Sequence, residues 1–308
     1  MNVPKLGIGL NYQPQLRSFI EGHAGQSFDF LEVVPDIFWL DYGRDAEPRY
    51  VDNASGWQFL ARTRERVPIV PHSIGLSIGS AHRFNREHIG QLKMCHDRLH
   101  FPWHSDHLSF HLTHGGPSGD SHGVAADDNV GVTMPLARTR ATLELLRPRL
   151  EAVRSAIPTP FLLENNVYFV ELPGAEFTET QFLNELCRFT GCGLLLDLHN
   201  IYTNARNLGF DTMEFLSELD LNPVVEIHLA GGFELDGFYY DSHSGATPEP
   251  VWEMLDWVAA RCPNLSGIVF ELFGTWYDDM GPARLSDELA RMRDVWHRSR
   301  RNQLAAAT

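Results

Sequence analysis

The chain has 308 residues, 43% of them hydrophobic, and a formal net charge of -15 from 40 acidic and 25 basic side chains. That composition supports one large apolar core and excludes collagen, coiled coil and general disorder. The negative charge argues against a nucleic-acid backbone or an anionic membrane as the main partner, because both are repelled at long range.

In chain order, short apolar runs read as buried strands at Leu6–Leu10, Phe28–Val34, Ile69–His72, Ser105–Phe110, Phe161–Glu164, Gly193–Leu198, Val224–Leu229 and Gly267–Leu272. Helical patterns lie between and after them at Pro14–Gly22, Ala54–Val67, Asn85–His100, Pro135–Ala156, Thr178–Thr190, Asp211–Leu219, Glu249–Arg261 and Leu285–Arg300. The fourth carries one apolar stripe, Leu136, Leu143, Leu146, Leu150, Val153 and Ile157. The fifth opens with Thr178 and has Gln181 three residues on, the pattern of a capping box.

Eight strand-then-helix units in unbroken series predict an α/β (β/α)8 TIM barrel, a single domain over residues 1–308 with a frayed tail at about 301–308. An open doubly wound sheet is the structural alternative, and it would spread the strand tips along a line. Two long loops leave the tip side, Thr113–Met134 and Gly231–Thr247, and loops of that length are usually functional or mobile.

Cys95, Cys187, Cys192 and Cys262 show no Cys-x-x-Cys spacing, so neither a disulfide framework nor a thiolate zinc site is indicated and a reduced, cytoplasmic setting is expected. The Met1–Leu10 segment lacks the features of a secretory signal, and the apolar runs fall far short of the roughly 18 residues that span a bilayer.

The chemistry gathers at the predicted strand tips, where Glu32, His72, Asp106, His107, Glu164, Asp197, His199, His228 and Glu271 recur, with Asp241 and His243 close behind. His72 also suits a plain capping role. Alternation sends Asp106 and His107 to opposite sides, so His107 is taken as the ligand and Asp106 as its orienting neighbour or a structural acid. Glu164 follows a wholly apolar run, and a buried carboxylate needs a partner, either an arginine or a metal. Asp197 and His199 are two apart, hence on one side of an extended chain, and Glu226 with His228 repeats that spacing. Asp241 and His243 share it too, although an Asx-turn beside a solvated histidine explains them equally.

Many like charges around one pore mouth repel one another, and cations resolve that repulsion. Oxygen and imidazole donors without sulfur suit iron, manganese or zinc, and the number of donors suits two or three ions. No Gly-x-Ser-x-Gly elbow or phosphate-cradling loop is present, and Gly7-Ile8-Gly9 lacks the third glycine of a dinucleotide fingerprint. The remaining histidines, His88 and His104 among them, read as surface or packing residues, and Trp39, Trp103, Trp252 and Trp276 as core or pocket wall.

Taken in order, Gly7–Leu10, Phe30–Val33, Pro71–Gly79, Ser105–Ser109, Leu163–Asn165, Leu196-Asp197 with Asn200–Asn204, Ile227–Gly231, Asp241–His243 and Phe270-Glu271 resemble the DUF692 proteins, now called multinuclear non-heme iron-dependent oxidative enzymes. The resemblance implies a TIM barrel with two or three irons, mixed ferrous and ferric, that uses dioxygen to alter Cys, Asp or Asn side chains of ribosomally made precursor peptides. It also implies an accessory protein that presents the peptide. The catalytic and ligating set it implies is His72, His107, Glu164, Asp197, His228, Asp241, His243 and Glu271. His199, where many members carry Asn, and Asn200 join the metal contacts, Asn200 also as an orienting neighbour, and the Thr113–Met134 loop is expected to touch the peptide or close as a lid.

Two other readings compete. A xylose-isomerase-like or endonuclease-IV-like barrel gathers the same residue types for isomerisation or hydrolysis without oxygen, although for a DNA-acting enzyme the net charge is adverse. A non-enzymatic metal or peptide carrier would keep its metals coordinatively closed.

Overall fold

The computed structural model describes residues 3–43, 46–81, 84–113 and 128–306. Eight parallel strands close into a barrel: β1 (Gly7–Asn11), β2 (Phe30–Val33), β3 (Ile69–Ser73), β4 (His104–His107), β5 (Phe161–Glu164), β6 (Gly193–Asp197), β7 (Val224–Ala230) and β8 (Gly267–Glu271). Each pairs with its sequence neighbours, and β8 returns to β1 with Gly7 opposite Gly267 and Leu10 opposite Phe270. The predicted TIM barrel is the fold observed.

Helices cover the outside because parallel strands need crossovers, and a strand buried on both faces can be apolar throughout. They are α1 (Arg17–His23), α2 (Ala54–Arg64), α3 (Arg86–Leu99), α4 (Arg140–Ala156), α5 (Glu179–Thr190), α6 (Leu198–Leu208), α7 (Thr212–Glu218), α8 (Glu249–Ala259) and α9 (Tyr277–Ala306). The stripe on α4 buries Leu143, Leu146, Leu150 and Val153. The capping box forms as read, with Thr178 accepting from Gln181 N and the Gln181 side chain accepting from Thr178 N.

Several boundaries differ from the sequence reading, and three bear on the site or the chain's end. Strand β4 stops at His107, and Phe110–Thr113 instead pairs antiparallel with Asp128–Met134 in a hairpin. The Thr113–Met134 loop is therefore partly strand, and residues 114–127 of it, with His114 and His122, lie outside the described residues. Strand β6 stops at Asp197, where α6 begins, a helix that the sequence reading overlooked. The last helix starts at Tyr277 rather than Leu285, breaks at Gly281, and runs on to Ala306.

Inside the barrel, Phe30, Val70, Leu162, Leu195, Val225 and Val269, one from each of six strands, meet Val3 and Trp103 in an apolar cluster of their own. This is the floor beneath the strand tips. Gly9 and Gly267 make room for it, since a Cβ at either position would fall within 2.7 Å of the Phe30 ring. No helix among the described residues is long and apolar enough to cross a membrane.

His104, at the start of β4, lies fully buried between the Phe101 and Phe161 rings, 5.3 and 4.7 Å away, and neither ring nitrogen has a hydrogen-bond partner among the described residues. Burial, with a smaller push from His96, drives its pKa down to about 3. The folded protein therefore refuses a proton that the unfolded chain accepts below its ordinary value of about 6.5. His104 costs nothing above that pH, and stability falls by up to about 1.4 kcal/mol per unit as pH drops from there toward the folded value. Urea midpoints measured from pH 7 to pH 4 should fall less steeply for His104→Phe than for the parent. Equal slopes would show that the buried ring does take the proton.

Candidate metal centre

Parallel strands carry their C-terminal ends to one mouth of the barrel, so residues far apart in sequence meet there. Three groups converge among the described residues: His72, His107 and Glu164; Glu164, Asp197, His228 and Glu271; and Glu32, Glu226 and His228. Within each group one donor atom per residue lies within 4.8 Å of the others. Glu164 belongs to the first two groups and His228 to the last two.

Glu164 ends β5 and holds the centre. Its Oε2 lies 3.2 Å from His72 Nε2 and 3.2 Å from His107 Nε2, and its Oε1 is 3.7 Å from His228 Nδ1. Its ion-pair partners among the described residues are thus histidines, and the arginine alternative is not what forms. Asn200 donates from Nδ2 to Glu164 Oε1 at 3.4 Å and to the Asn165 carbonyl at 2.9 Å. Asn165 in turn bridges to the backbone of Asp197, with two bonds of 2.9 Å.

The three converging histidines are held from behind. His72 Nδ1 is 2.9 Å from Ser105 Oγ, His107 Nδ1 is 3.4 Å from the Ser73 carbonyl, and His228 Nε2 is 3.0 Å from Glu32 Oε2. In each ring the far nitrogen is tied and the near one turns toward the carboxylates, the arrangement that orients an imidazole ligand. Glu226, two residues before His228 and on the same side of β7, accepts from Trp103 Nε1 at 2.8 Å. Burial and the neighbouring Glu32 raise its pKa to about 8. Neither Glu32 nor Glu226 figures in the ligand set expected from sequence. The signal for Glu226 was its spacing from His228, and for Glu32 its place at a strand tip.

Of the two roles expected for Asp106, the structural acid is the one its contacts fit, and none of them is to His107 among the described residues. Asp106 accepts from the Ser73 hydroxyl and from Leu76 N, and Ser73 Oγ also lies 2.7 Å from His88 Nε2. This buried network, completed by Asp36 at 3.4 Å from His88, fixes the backbone whose carbonyl faces His107. His88 thus does more than pack, whereas His82 lies outside the described residues.

The other correction concerns Asp197 and His199. Two-residue alternation holds only in a strand, and the chain turns helical immediately after Asp197, which caps α6 by accepting from Asn200 N at 2.7 Å. His199 leaves the Glu164 cluster and sits 2.8 Å from Asp241 Oδ1 instead. Asp241 and His243 form a neighbouring pair, 3.1 Å apart, joined to the cluster by a 3.9 Å approach of His243 to Glu271. His243 holds φ at +46°, a left-handed value that a non-glycine residue rarely adopts outside sites that need it. The loop is tied down by Ser244 N donating to the Gly231 carbonyl at 2.8 Å, an approach only glycine allows, since a Cβ there would meet Ser244 O at 2.3 Å.

The electrostatics show what the site lacks. Burial works to raise Glu164, yet His107 and His72 hold it below its ordinary value; His228 and His243 do the same for Glu271 against the same opposition. Asp197 is pushed well above the carboxylate range by burial and by the charges of Glu164, Asp241 and Glu271, against which His228 pulls only in part. Burial opposes protonation of His72, His228 and His243, but the surrounding carboxylates lift all three, His72 to about 9 and His243 to about 10.

Positive charge is demanded here, and protons on imidazoles supply it only in part. Glu164 Oε2, Asp197 Oδ2, Asn200 Oδ1 and His228 Nδ1 are buried without an aligned hydrogen-bond partner among the described residues. A pure hydrogen-bonding site would not leave four such atoms in one place. These hard oxygen and imidazole donors fit divalent or trivalent metal ions.

A family model described as RiPP precursor modification enzyme MbnB/TglH/ChrH matches residues 6–296. The chain belongs to this family. MbnB/TglH/ChrH enzymes modify precursor peptides of the ribosomally synthesised and post-translationally modified class, so this DUF692-type barrel is a member of an enzyme family. UPF0276 proteins of Rhizorhabdus wittichii and Caulobacter vibrioides are each 31% identical to it, over 290 and 303 residues, which is 94% and 97% of this chain and the same shares of theirs. Among solved structures, endonuclease IV from Thermus thermophilus aligns with a TM-score of 0.55 at 14% identity, covering 95% of this chain and 99% of that one. A D-psicose 3-epimerase aligns with a TM-score of 0.52 at 12% identity, covering 96% and 99%. At such identities the likeness extends to the barrel fold alone.

Glu32 meets the two groups that share Glu164 through His228, so its removal tests them without touching one of their own donors. Glu32→Gln should weaken metal binding about 10- to 100-fold, and Glu32→Ala at least as much. Calorimetric titration of the purified protein with Co2+ would read this, and parental affinity in both variants would dissociate Glu32 from metal binding.

Proposed function

We propose that the protein is an iron-dependent oxidoreductase that uses dioxygen to modify a Cys, Asp or Asn side chain of a ribosomal precursor peptide. The observation that carries this reading is the double membership of Glu164: one buried carboxylate shared by two converging donor groups suits a bridge between two ions. His72, His107 and Glu164 would hold one iron, and Glu164, Asp197, His228 and Glu271 a second. Asp241 and His243 would serve a third, and Asn200, whose Nδ2 reaches Glu164 Oε1, would add a contact beside the first two. Bound iron supplies one-electron chemistry and open positions for dioxygen and substrate.

The protein's own part is placement and exclusion. Ser105, the Ser73 carbonyl and Glu32 aim the imidazoles, while Asn165 and Asn200 lock β5 against the end of β6. Asn11 fixes the far side by accepting from Leu272 N at 3.0 Å, immediately after Glu271. The apolar floor seals the barrel from below, so substrate enters only from the tip side, where the two long loops leave. An accessory protein presenting the peptide, and a cytoplasmic setting, complete the proposal.

The rival barrel chemistry, isomerisation or hydrolysis without oxygen, has the same fold and similar donors. Oxygen dependence separates the two. Co-expression with a neighbouring short precursor peptide should give an oxidative mass shift, and anaerobically purified protein should contain two or three irons. Glu164→Ala should lower the iron content and abolish the shift. Full activity of iron-free protein, or a product formed equally without oxygen, would overturn the proposal.

A further inference from the structure

His199 occupies the first turn of α6, fully buried, with its ring between two groups delivered by one segment of chain. Its Nδ1 lies 2.8 Å from Asp241 Oδ1 and its Nε2 lies 3.3 Å from the Tyr239 hydroxyl. Tyr239 and Asp241 are two apart where the Phe238–Tyr240 strand leaves its hairpin, so both reach the same ring. A carboxylate only accepts, which puts the ring hydrogen on Nδ1 and lets the tyrosine hydroxyl donate to Nε2.

Tyr239 is itself immobilised. Its N–H donates to Asn207 Oδ1 and its carbonyl accepts from Asn207 Nδ2, both at 2.8 Å. The Tyr202 ring meets it edge-on at 5.2 Å, and the Arg206 guanidinium lies 5.4 Å from its centre. The hydroxyl is thus a fixed point from which the imidazole is set.

A ligating histidine needs one nitrogen free to face the ion. His72, His107 and His228 satisfy this, because each has a near nitrogen turned to the carboxylate cluster. His199 has both nitrogens committed to protein groups. Its partner Asp241 keeps a second oxygen, Oδ2, beside His243 Nε2 at 3.1 Å.

We propose that His199 is a positioning residue and not a metal ligand: it fixes Asp241 through Nδ1–H, Tyr239 fixes its tautomer, and Asp241 is left with one oxygen to offer beside His243. This rests on the metal reading above and specifies how the outermost ion would be held. It also makes the hairpin that carries Tyr239 a mechanical part of that ion's site.

The test uses Zn2+ alone as a diamagnetic probe and follows the histidine ring nitrogens of the whole, 15N-labelled protein by NMR, with His199→Gln for assignment. Expected is an Nδ1–H signature for His199 in metal-free protein that persists at saturating zinc, while resonances of His72, His107 and His228 move. Tyr239→Phe, which removes one hydroxyl, should mix the His199 tautomers and weaken the zinc equivalent sensed by His243 about tenfold. If zinc shifts His199 itself, and Tyr239→Phe binds as well as the parent or tighter, His199 is a ligand and the proposal is wrong. If zinc moves no histidine at all, the metal reading falls instead. The metal-free spectrum then still decides the positioning role: an Nε2–H tautomer, or one that Tyr239→Phe leaves unchanged, overturns it.

Discussion

Buried negative charge is the constraint on which this molecule depends. Glu32, Glu164, Asp197, Glu226 and Glu271 all lie at or near full burial within one barrel. Isolated, each would carry a desolvation cost of several kcal/mol. They are tolerable because histidines face Glu32, Glu164 and Glu271, because Asp197 and Glu226 are pushed toward the neutral acid, and because the assembly invites a cation of higher charge. The fold answers the same problem from below, where an apolar floor of large side chains gives the barrel stability that its mouth does not contribute.

The fold was legible because parallel strands buried on both faces are written as continuous apolar runs, such as Leu194–Leu196 and Val224-Val225, and the intervening amphipathic stretches are long. The tips were legible for a related reason, since an acid or imidazole that ends an apolar run has few cheap explanations. The overlooked helix α6 had its signals in place: Asp197 as N-cap, Leu198, Ile201, Ala205 and Leu208 at helical spacing, and Gly209 at the C-terminus with φ of +79°. A period of two across Asp197 and His199 belongs to a strand that has already ended, and it masks the period of 3.6 that begins there.

What the sequence could not display was depth. Glu226 and His228 share one side of β7, but the barrel axis runs past them at different heights, so one faces Trp103 and the other faces Glu164. The identity of the group behind each histidine was equally hidden. A hydroxyl from β4, a carbonyl from β3 and a carboxylate from β2 serve three imidazoles, and no spacing rule relates Glu32 to His228 across 196 positions. Such contacts are set by barrel closure and strand register, which are properties of the whole sheet.

Closure also explains why the two parts of the centre are built differently. The Glu164 cluster rests on strand ends whose positions are fixed by ladders on both sides, so its geometry follows from the barrel. Asp241 and His243 stand on a loop with no ladder of their own. They need substitutes: a left-handed residue at His243, a glycine that admits the Ser244 backbone, and the buried His199 to hold the carboxylate. A site half on strands and half on a tethered loop draws its geometry from sheet register on one side and from local side-chain and backbone tethers on the other. The tethered side is linked to the Phe233–Tyr240 hairpin through His199 and Tyr239, so a displacement of that hairpin would act first on Asp241 and leave Glu164 in place.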